Sequence, residues 1–405
     1  MVRYIKAFFT KKGIDKPILI STLILVLFGV IMIGSASIGA VSTKGAGSVI
    51  KNMLFQAIYA IAGIIVMTAL TKMFNTKIVN YKFCKILYGV GIVSLLICLN
   101  WNIKGAHAWI KLGPITVQPA EFMKLGMILI LSFFLTETDK AFVVKGRFRT
   151  QEIKEQFYKE KFYKCVGIPL VLIVVIFLVV AFVQSDLGTA IILGSICFIC
   201  LMVTPRAYYG KYKRMAGWLI GVGFVVIVFL STTFLKGYQM ARITTWLHPL
   251  ENIYSTSWQL VNSMIAFTGG GLFGLGFGNS IQKYDYIPEA HNDFIGAIIY
   301  EELGIFGLAM ILIPTCIIIF RLLKYADKIN EEKSKIILIG VASYFLLHLL
   351  VNLGGVSGLI PMTGVPILLI SAGGSSTVSA LISIGICQAI ISKYNKSLLN
   401  RNSTR

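Results

Sequence analysis

Apolar runs of about 20 residues recur along the whole chain, and a helix needs about that many apolar residues to cross the hydrocarbon core of a bilayer. Hydrophobic residues make up 56% of the sequence and charged residues 14%, a balance outside the range of soluble domains. The sequence therefore predicts an all-α polytopic membrane protein with about ten spanning helices. They are expected near residues 17–39, 53–72, 83–100, 119–137, 166–184, 187–205, 216–235, 303–322, 336–355 and 369–391.

The first apolar run is long enough to span and is not followed by a small-residue cleavage site, which predicts a retained signal anchor. We expect a single integral membrane domain over residues 1–405, without an appended soluble domain.

The basic residues predict the orientation, because Lys and Arg accumulate in cytoplasmic loops. One alternating set of loops carries all but eight of the 38 Lys and Arg residues. Both termini are therefore expected in the cytoplasm, and the net charge of +21 is explained by topology and anionic lipid rather than by nucleic acid. The resulting segments are a cytoplasmic N-terminus 1–16, a basic cytoplasmic loop 138–165, an extracytoplasmic loop 236–302 between helices 7 and 8, and a cytoplasmic C-terminus 392–405.

The seven cysteines lie in or beside apolar segments, where they behave as small hydrophobic side chains, so no disulfide framework is expected. Cys197 and Cys200 form a CxxC pair inside a predicted span, but no second pair or nearby histidine supports a metal or redox site. The glycine-rich segment 269–280 is expected to be a tight turn between short helices, because no strand precedes it as in a phosphate-binding loop.

Four polar clusters share the predicted outer side of the membrane, at 105–124, 184–189, 239–293 and 356–376. Charged groups in or near a bilayer are costly unless they are paired, hydrated or used, so we expect these clusters to converge on a functional site. The loop 236–302 has too much aromatic and apolar content for a free loop, and part of it is expected to pack back as re-entrant or interfacial helices.

Four motifs follow one another along essentially the whole chain, and together they resemble the signatures of the FtsW/RodA/SpoVE (SEDS: shape, elongation, division, sporulation) family. They read GAHAWIKLGPITVQPAEFMKL (105–125), QSDLGTA (184–190), GLFGLGFGNSIQKYDYIPEAHNDFIGAIIYEELG (271–304) and GGVSGLIPMTGVPILLISAGGSS (354–376). The resemblance implies a peptidoglycan glycosyltransferase of the bacterial cytoplasmic membrane that polymerises lipid II, the undecaprenyl-pyrophosphate-linked disaccharide peptide, beside a class B penicillin-binding transpeptidase.

Two runs, GNSIQK before YIPEAHND and VNLGGVSGLIPMTGVP, are more similar to the FtsW and SpoVE branch than to the RodA branch. That similarity implies a role in cell division at the septum with other divisome proteins, and a role in elongation or sporulation stays open. Three positions depart from the family pattern. Ala108 replaces a basic residue, Ser185 replaces a proline, and His248 replaces an acidic residue.

Joining two lipid-linked disaccharides requires a base for the attacking hydroxyl and positive charge for the departing phosphates. Asp293 is the candidate base, because it stands just before the apolar FIGAII at the predicted membrane boundary, and the resemblance assigns the essential acid to this position. From the residues alone, Asp293 also fits a helix N-cap for the segment beginning at Phe294.

The candidates for substrate binding are charged or aromatic residues. Glu121 and Lys124 share a helix face, either as a structural ion pair or with Lys124 near Asp293. Arg242 and Lys283 are outward-side cations suited to pyrophosphate or carboxylates, or to solvent and lipid headgroups. The remaining candidates are Trp109, which could stack on a sugar or an isoprenyl chain, Glu289, and His291 as a hydrogen-bonding neighbour.

A structural role is expected for Gln184, for Asp186 as a cap of the sixth span, and for the small residues Gly373, Gly374 and Ser375, which allow close helix approach. One of Glu301 and Glu302 is expected to line the cavity and the other to pair at the interface. The residues identify no certain cofactor. A divalent cation, Mg or Mn, would help the pyrophosphate to leave, but no carboxylate cluster has metal-ligand spacing.

Three other classes of function remain open from the residues. A transporter or lipid II flippase would need polar groups at the bilayer midplane, often on broken helices, whereas the predicted span centres are nearly uncharged. A non-catalytic scaffold for division proteins would not need Asp293. An O-antigen-ligase-like transferase would share the architecture without these motifs.

Overall fold

The structure is a computed structural model that describes residues 13–40, 45, 47–103, 105–113, 115–137, 150–204, 237–288 and 290–403. Predictions for residues 1–12, for 138–149 of the basic loop, for the seventh span at 216–235 and for Glu289 lie outside these ranges.

Every other predicted span coincides with a helix. The helices are α1 (Lys16–Ala36), α2 (Gly47–Met73), α3 (Tyr81–Ile97), α4 (Pro119–Phe134), α5 (Gln151–Phe162), α6 (Ile168–Leu178), α7 (Leu187–Val203), α8 (Gly237–Leu247), α9 (Trp258–Gly270), α10 (Ile295–Lys328), α11 (Glu332–Val356) and α12 (Gly374–Ser403). π-helical stretches at Tyr163–Gly167 and Val179–Val183 extend α6, and short 3₁₀ turns lie at Ile38–Ala40, Thr76–Ile78 and Cys98–Asn100.

Seven helical segments of the described chain are long and apolar enough to cross a membrane, and α7 is a shorter apolar helix. They correspond to α1, α2, α3, the continuous segment Gln151–Val183, α10, α11 and α12. The 16-residue α4 is the central helix, because all of it except Phe122 and Phe133 is buried among α3, α7, α11 and α12. The chain is therefore a multi-pass helical membrane protein.

The all-α expectation holds for the bundle, but a small antiparallel hairpin precedes α4. Its strands are β1 (Ile110–Leu112) and β2 (Ile115–Val117), paired with Lys111 opposite Thr116. Gly113 occupies the turn between them with φ of +62°, a backbone conformation that residues with a Cβ rarely adopt. The three-residue strands alternate too briefly to stand out from an apolar sequence.

The predicted loop 236–302 contains α8 and α9, in agreement with its apolar content, and α9 packs against α10. The glycine-rich segment after α9 docks onto a kink in α10. Gly304 has φ of +59° and ψ of −141°, which interrupts the helical hydrogen bonds. The carbonyl groups of Glu301 and Glu302 instead accept from the backbone N–H groups of Leu275 and Gly276, both at 2.9 Å.

Small residues bring α12 close to α2. A Cβ atom at Gly385 would lie 2.7 Å from the carbonyl oxygen of Met67, and one at Gly374 would lie 2.6 Å from the ring of Tyr59. In the middle of α12, Gln388 Nε2 donates to the carbonyl of Asp15, whose carboxylate pairs with Arg321 of α10. Asp15 therefore joins the start of α1 to α10 and α12.

Candidate active site

Hydrogen bonds join the predicted polar clusters. Gln118 links three chain segments, because its Nε2 donates to Asp186 Oδ2 at 3.0 Å and its backbone N–H donates to Ser375 Oγ at 2.9 Å. The backbone N–H of Ala372 donates to the carbonyl of His291 at 2.9 Å. The predicted convergence of the clusters is therefore confirmed.

Asp293 and Arg242 meet around one glycine. Gly364 has φ of +73°, and a Cβ atom there would lie 3.3 Å from Asp293 Oδ2 and 3.4 Å from Arg242 Nη2. Arg242 Nη1 also donates to the carbonyl of Met362 at 2.9 Å, which fixes the guanidinium against the same loop. The N-cap position of α10 is Phe294, one residue after Asp293. A carboxylate and a permanent cation thus share one small space.

The backbone at Asp293 is held by α11. The side-chain Nδ2 of Asn352 donates to the carbonyl of Asp293 and to the carbonyl of Val365, both at 2.7 Å. Asn352 is 2% exposed, so these bonds form where water does not compete for the donors. A single amide therefore joins the segment before α10 to the loop that carries Gly364.

Glu121 and Lys124 form the expected pair, and both are fully buried. Lys124 Nζ lies 2.7 Å from Glu121 Oε1 and 2.8 Å from His348 Nε2, and the Tyr344 hydroxyl donates to Glu121 Oε2 at 3.2 Å. His348 Nδ1 lies 2.9 Å from the carbonyl of Pro366. A carbonyl only accepts, so this contact assigns the imidazole proton to Nδ1 and leaves Nε2 to accept from Lys124.

The buried ion pair is connected to the Asp293 loop through α11. His348 and Asn352 stand four residues apart, on one face of the helix, and contact the adjacent residues Pro366 and Val365. Neither His348 nor Asn352 was predicted from the sequence. Their position inside a predicted span, where polar groups usually have a function, is the signal that would have identified them.

Lys283 occupies a different, buried site. Its Nζ lies 2.8 Å from Glu302 Oε1, 2.6 Å from the carbonyl of Gly278 and 3.3 Å from Ser35 Oγ of α1. Ser35 Oγ in turn donates to both Glu302 oxygens. The structure thus places the Lys283 ammonium among three acceptors, and a contact with substrate stays a prediction.

Glu301 also holds the glycine-rich segment. Its carboxylate accepts from the Ser280 hydroxyl and from the backbone N–H groups of Ile281 and Gln282. Both Glu301 and Glu302 are buried, so neither lines an open cavity. The expectation that one of the two faces a cavity is wrong, because the kink at Gly304 lets both carboxylates turn toward the segment 276–283.

The residues expected to be structural make local contacts. Asp186 caps α7, with its Oδ1 accepting from the Thr189 N–H at 3.1 Å, and desolvation raises the pKa of the Asp186 carboxyl. Gln184 is buried, and its Nε2 donates to the carbonyl of Leu95 at 2.9 Å. Gly373 precedes α12, and Gly374 begins it.

Trp109 is half-buried and follows the fully buried Ala108. No three His, Cys, Asp or Glu side chains within the described ranges lie close enough together to hold a metal ion. The described residues therefore do not form a ready divalent-cation site.

These features define a polytopic helical membrane protein with a polar site at its helix ends, and comparison with known proteins agrees. Residues 16–396 match the family described as cell cycle protein, FTSW_RODA_SPOVE. The chain therefore belongs to the FtsW/RodA/SpoVE family.

The relatives cover nearly the whole chain. The probable peptidoglycan glycosyltransferase FtsW of Bacillus subtilis (strain 168) is 34% identical, over 96% of this chain and 93% of that protein. Stage V sporulation protein E of the same organism is 30% identical, over 95% and 99%. Both the FtsW and the SpoVE names agree with the branch that the sequence motifs indicated.

Two solved structures share the fold. A chain from a peptidoglycan synthase complex that coordinates polymerization and crosslinking superposes with a TM-score of 0.70 at 23% identity, covering 94% of this chain and 98% of that chain. The rod shape determining protein RodA of Thermus thermophilus superposes with a TM-score of 0.61 at 21% identity, covering 94% and 97%.

Proposed function

We propose that this chain is a peptidoglycan glycosyltransferase that polymerises lipid II at the outer face of the bacterial cytoplasmic membrane. The observation that carries the proposal is the meeting of Asp293 and Arg242 around Gly364, where the polar clusters converge. The name of the Bacillus subtilis FtsW relative supports the same activity.

The reaction needs few protein groups. A hydroxyl of the acceptor sugar attacks the anomeric carbon of the donor while Asp293 takes the hydroxyl proton. The bond between that carbon and the diphosphate oxygen breaks, and the lipid diphosphate leaves with the electron pair. The guanidinium of Arg242 offers planar paired donors to phosphate, so it is placed to stabilise the leaving group.

The other groups act around this centre. Lys124 contacts His348, and His348 contacts the loop that carries Gly364. Lys124 therefore serves as a positioning residue. We propose that the sugars or the peptide are contacted by Trp109, Glu289 and His291. Lys283 is proposed to maintain the segment before Tyr284. A divalent cation, Mg or Mn, would reach the site with the diphosphate.

A partner completes the machinery. We propose that the chain works beside a class B penicillin-binding transpeptidase and other divisome proteins at the septum. The similarity to a chain of a peptidoglycan synthase complex supports the transpeptidase partner. The motif similarity to the FtsW branch supports the septal location.

The test is polymerisation of labelled lipid II by the purified protein, alone and with the transpeptidase from its genome, in the presence of a β-lactam. Glycan ladders on a gel from the unaltered protein, absent from Asp293→Ala, are expected. A folded complex that moves lipid II across vesicles and forms no ladder would instead establish a transporter. A scaffold would give neither activity, and Asp293→Ala would leave its cellular role intact.

A further inference from the structure

An aromatic cleft lies on the surface of the segment between α8 and α10. Its volume is about 420 Å³, and among the described residues it is lined by Tyr254, Ser255, Thr256, Trp258, Gln259 and Pro288. Pockets of about 300–1,000 Å³ with aromatic walls and a few polar groups are typical of small-ligand sites. None of the contacts described for Asp293, Lys124 or Lys283 uses these side chains.

Trp258 of this cleft stacks on Tyr286, which lies beside the cleft, and packs at a tilt against Tyr254. The Trp258 and Tyr286 rings are 6.0 Å apart between centroids with 20° between their planes, and the Tyr254 and Trp258 rings are 6.4 Å apart with 33°. Tyr254 is 90% exposed and Tyr286 43% exposed. Two tyrosine rings beside a tryptophan thus remain open to solvent, although burial would stabilise them.

The chemistry of the lining selects the kind of ligand. The six lining residues carry no charge, and the polar ones are hydroxyl and amide groups that both donate and accept hydrogen bonds. A phosphate or a carboxylate would find no cation among them. A pyranose ring has one apolar C–H face, which packs on an aromatic ring, and a rim of hydroxyl groups, which pair with neutral donors and acceptors.

The cleft is also connected to the candidate active site along the chain. Pro288 lies five residues before Asp293, a separation of at most about 18 Å even for fully extended backbone. Hydrogen bonds fix the backbone just before this stretch and within it. Ile287 N–H donates to the carbonyl of Gln282 at 3.0 Å, and Ala372 N–H donates to the carbonyl of His291 at 2.9 Å. A glycan strand that leaves the site at Asp293 therefore has a sugar-sized surface nearby, five residues earlier in the chain.

We propose that the cleft lined by Tyr254, Trp258 and Pro288 is a carbohydrate subsite that holds the sugar backbone of the growing glycan strand. This inference rests on the proposed function for the identity of the glycan. By retaining the strand between additions, the cleft lengthens the product without taking part in bond formation.

The experiment uses the full-length protein in nanodiscs and a lipid-free, uncrosslinked peptidoglycan oligosaccharide as the probe. Trp258→Ala and Tyr254→Ala are each expected to weaken its binding about tenfold, as loss of an aromatic anchor commonly does, and to shorten the strands made from lipid II. Tyr254→Phe keeps the ring face and is expected to bind nearly as the unaltered protein. Because Tyr254 is so exposed, its truncation leaves the core intact.

Phe273→Ala is the matched control. Phe273 is 77% exposed and belongs to a stacked pair with Phe306 outside the cleft, so its removal should change neither binding nor strand length. Unchanged binding and strand length in Trp258→Ala and Tyr254→Ala would overturn the proposal. The proposal would also be overturned if brominated lipids quench the fluorescence component that is lost in Trp258→Phe while the oligosaccharide leaves that component unchanged, because this would identify a membrane-interface anchor. Oligosaccharide binding without any polymer from the unaltered protein would keep the subsite and refute the glycosyltransferase.

Discussion

The side-chain amide of Asn352 lies 2.7 Å from the backbone carbonyl oxygen of Asp293 and donates a hydrogen bond to it. The same nitrogen holds the carbonyl of Val365, the residue that follows Gly364. The position of the candidate base therefore depends on a buried asparagine near the C-terminal end of α11, far from it in sequence.

Asn352→Ala is expected to lower the polymerisation rate more than it weakens lipid II binding. Loss of the amide removes one hydrogen bond from each of two carbonyl groups, at a cost of about 0.5–1.5 kcal/mol per bond, and a 1 Å displacement of a catalytic group can reduce a rate about a hundredfold. The measurement is kcat and KM for lipid II. Asn395→Ala is the matched control, since Asn395 also makes two hydrogen bonds, to Gly13 and Tyr325, near the other end of α12. Equal rate losses in the two variants would refute a positioning role for Asn352.

Gly364→Ala is expected to reduce activity at least tenfold. A left-handed backbone costs a residue with a Cβ about 1–2 kcal/mol, and the added methyl group would press on the Asp293 carboxylate and the Arg242 guanidinium. Gly113→Ala is the control, because Gly113 also has a positive φ, of +62°, but no atom lies within 4 Å of its added Cβ. The Gly113→Ala variant is expected to have a strained backbone at this turn and to keep its activity. An active Gly364→Ala protein would argue against catalysis at this place.

Lys124→Met is expected to destabilise the fold by about 3–5 kcal/mol, because it leaves Glu121 as an unpaired buried charge. The double variant Glu121→Gln/Lys124→Met should recover much of that stability in thermal unfolding. If Lys124 positions the site through His348, polymerisation by the double variant will remain low although the protein is folded. Full activity in the double variant would assign the pair to stability alone.

The exposed pair Glu160–Lys164 provides the control for this charge removal. Its side chains are 52% and 46% exposed and its atoms are 2.6 Å apart, so Lys164→Met should change stability by about 1 kcal/mol or less. A large effect at this surface pair would show that the unfolding measurement responds to net charge rather than to burial.

Variants of Lys283 and Glu302 distinguish a role in stability from a contact with substrate in the same way. Glu302→Gln is expected to destabilise the protein strongly, because the Lys283 ammonium stays buried without its counter-ion. Lys283→Met/Glu302→Met should regain stability, as measured by thermal unfolding. Restored polymerisation in the double variant would refute a substrate contact by Lys283, whereas a stable but inactive double variant would support one.

The class of fold, the spans within the described chain and the four segments that meet at the site were all predicted from the sequence. Apolar length is a local property, and a spanning helix satisfies its own backbone hydrogen bonds, so each span could be identified alone. The motifs likewise identified Asp293, and the predicted topology identified Arg242 as one of the few outward-side cations.

Tertiary structure alone decided how these residues are paired. Lys124 and Lys283 look alike in the sequence, yet the first contacts His348 beside the Asp293 loop and the second contacts Glu302 beneath the glycine-rich segment. The kink at Gly304 turned both Glu301 and Glu302 toward that segment, contrary to expectation. A side chain's partner depends on which distant helix packs against it, and only the packed bundle brings together residues separated by hundreds of positions.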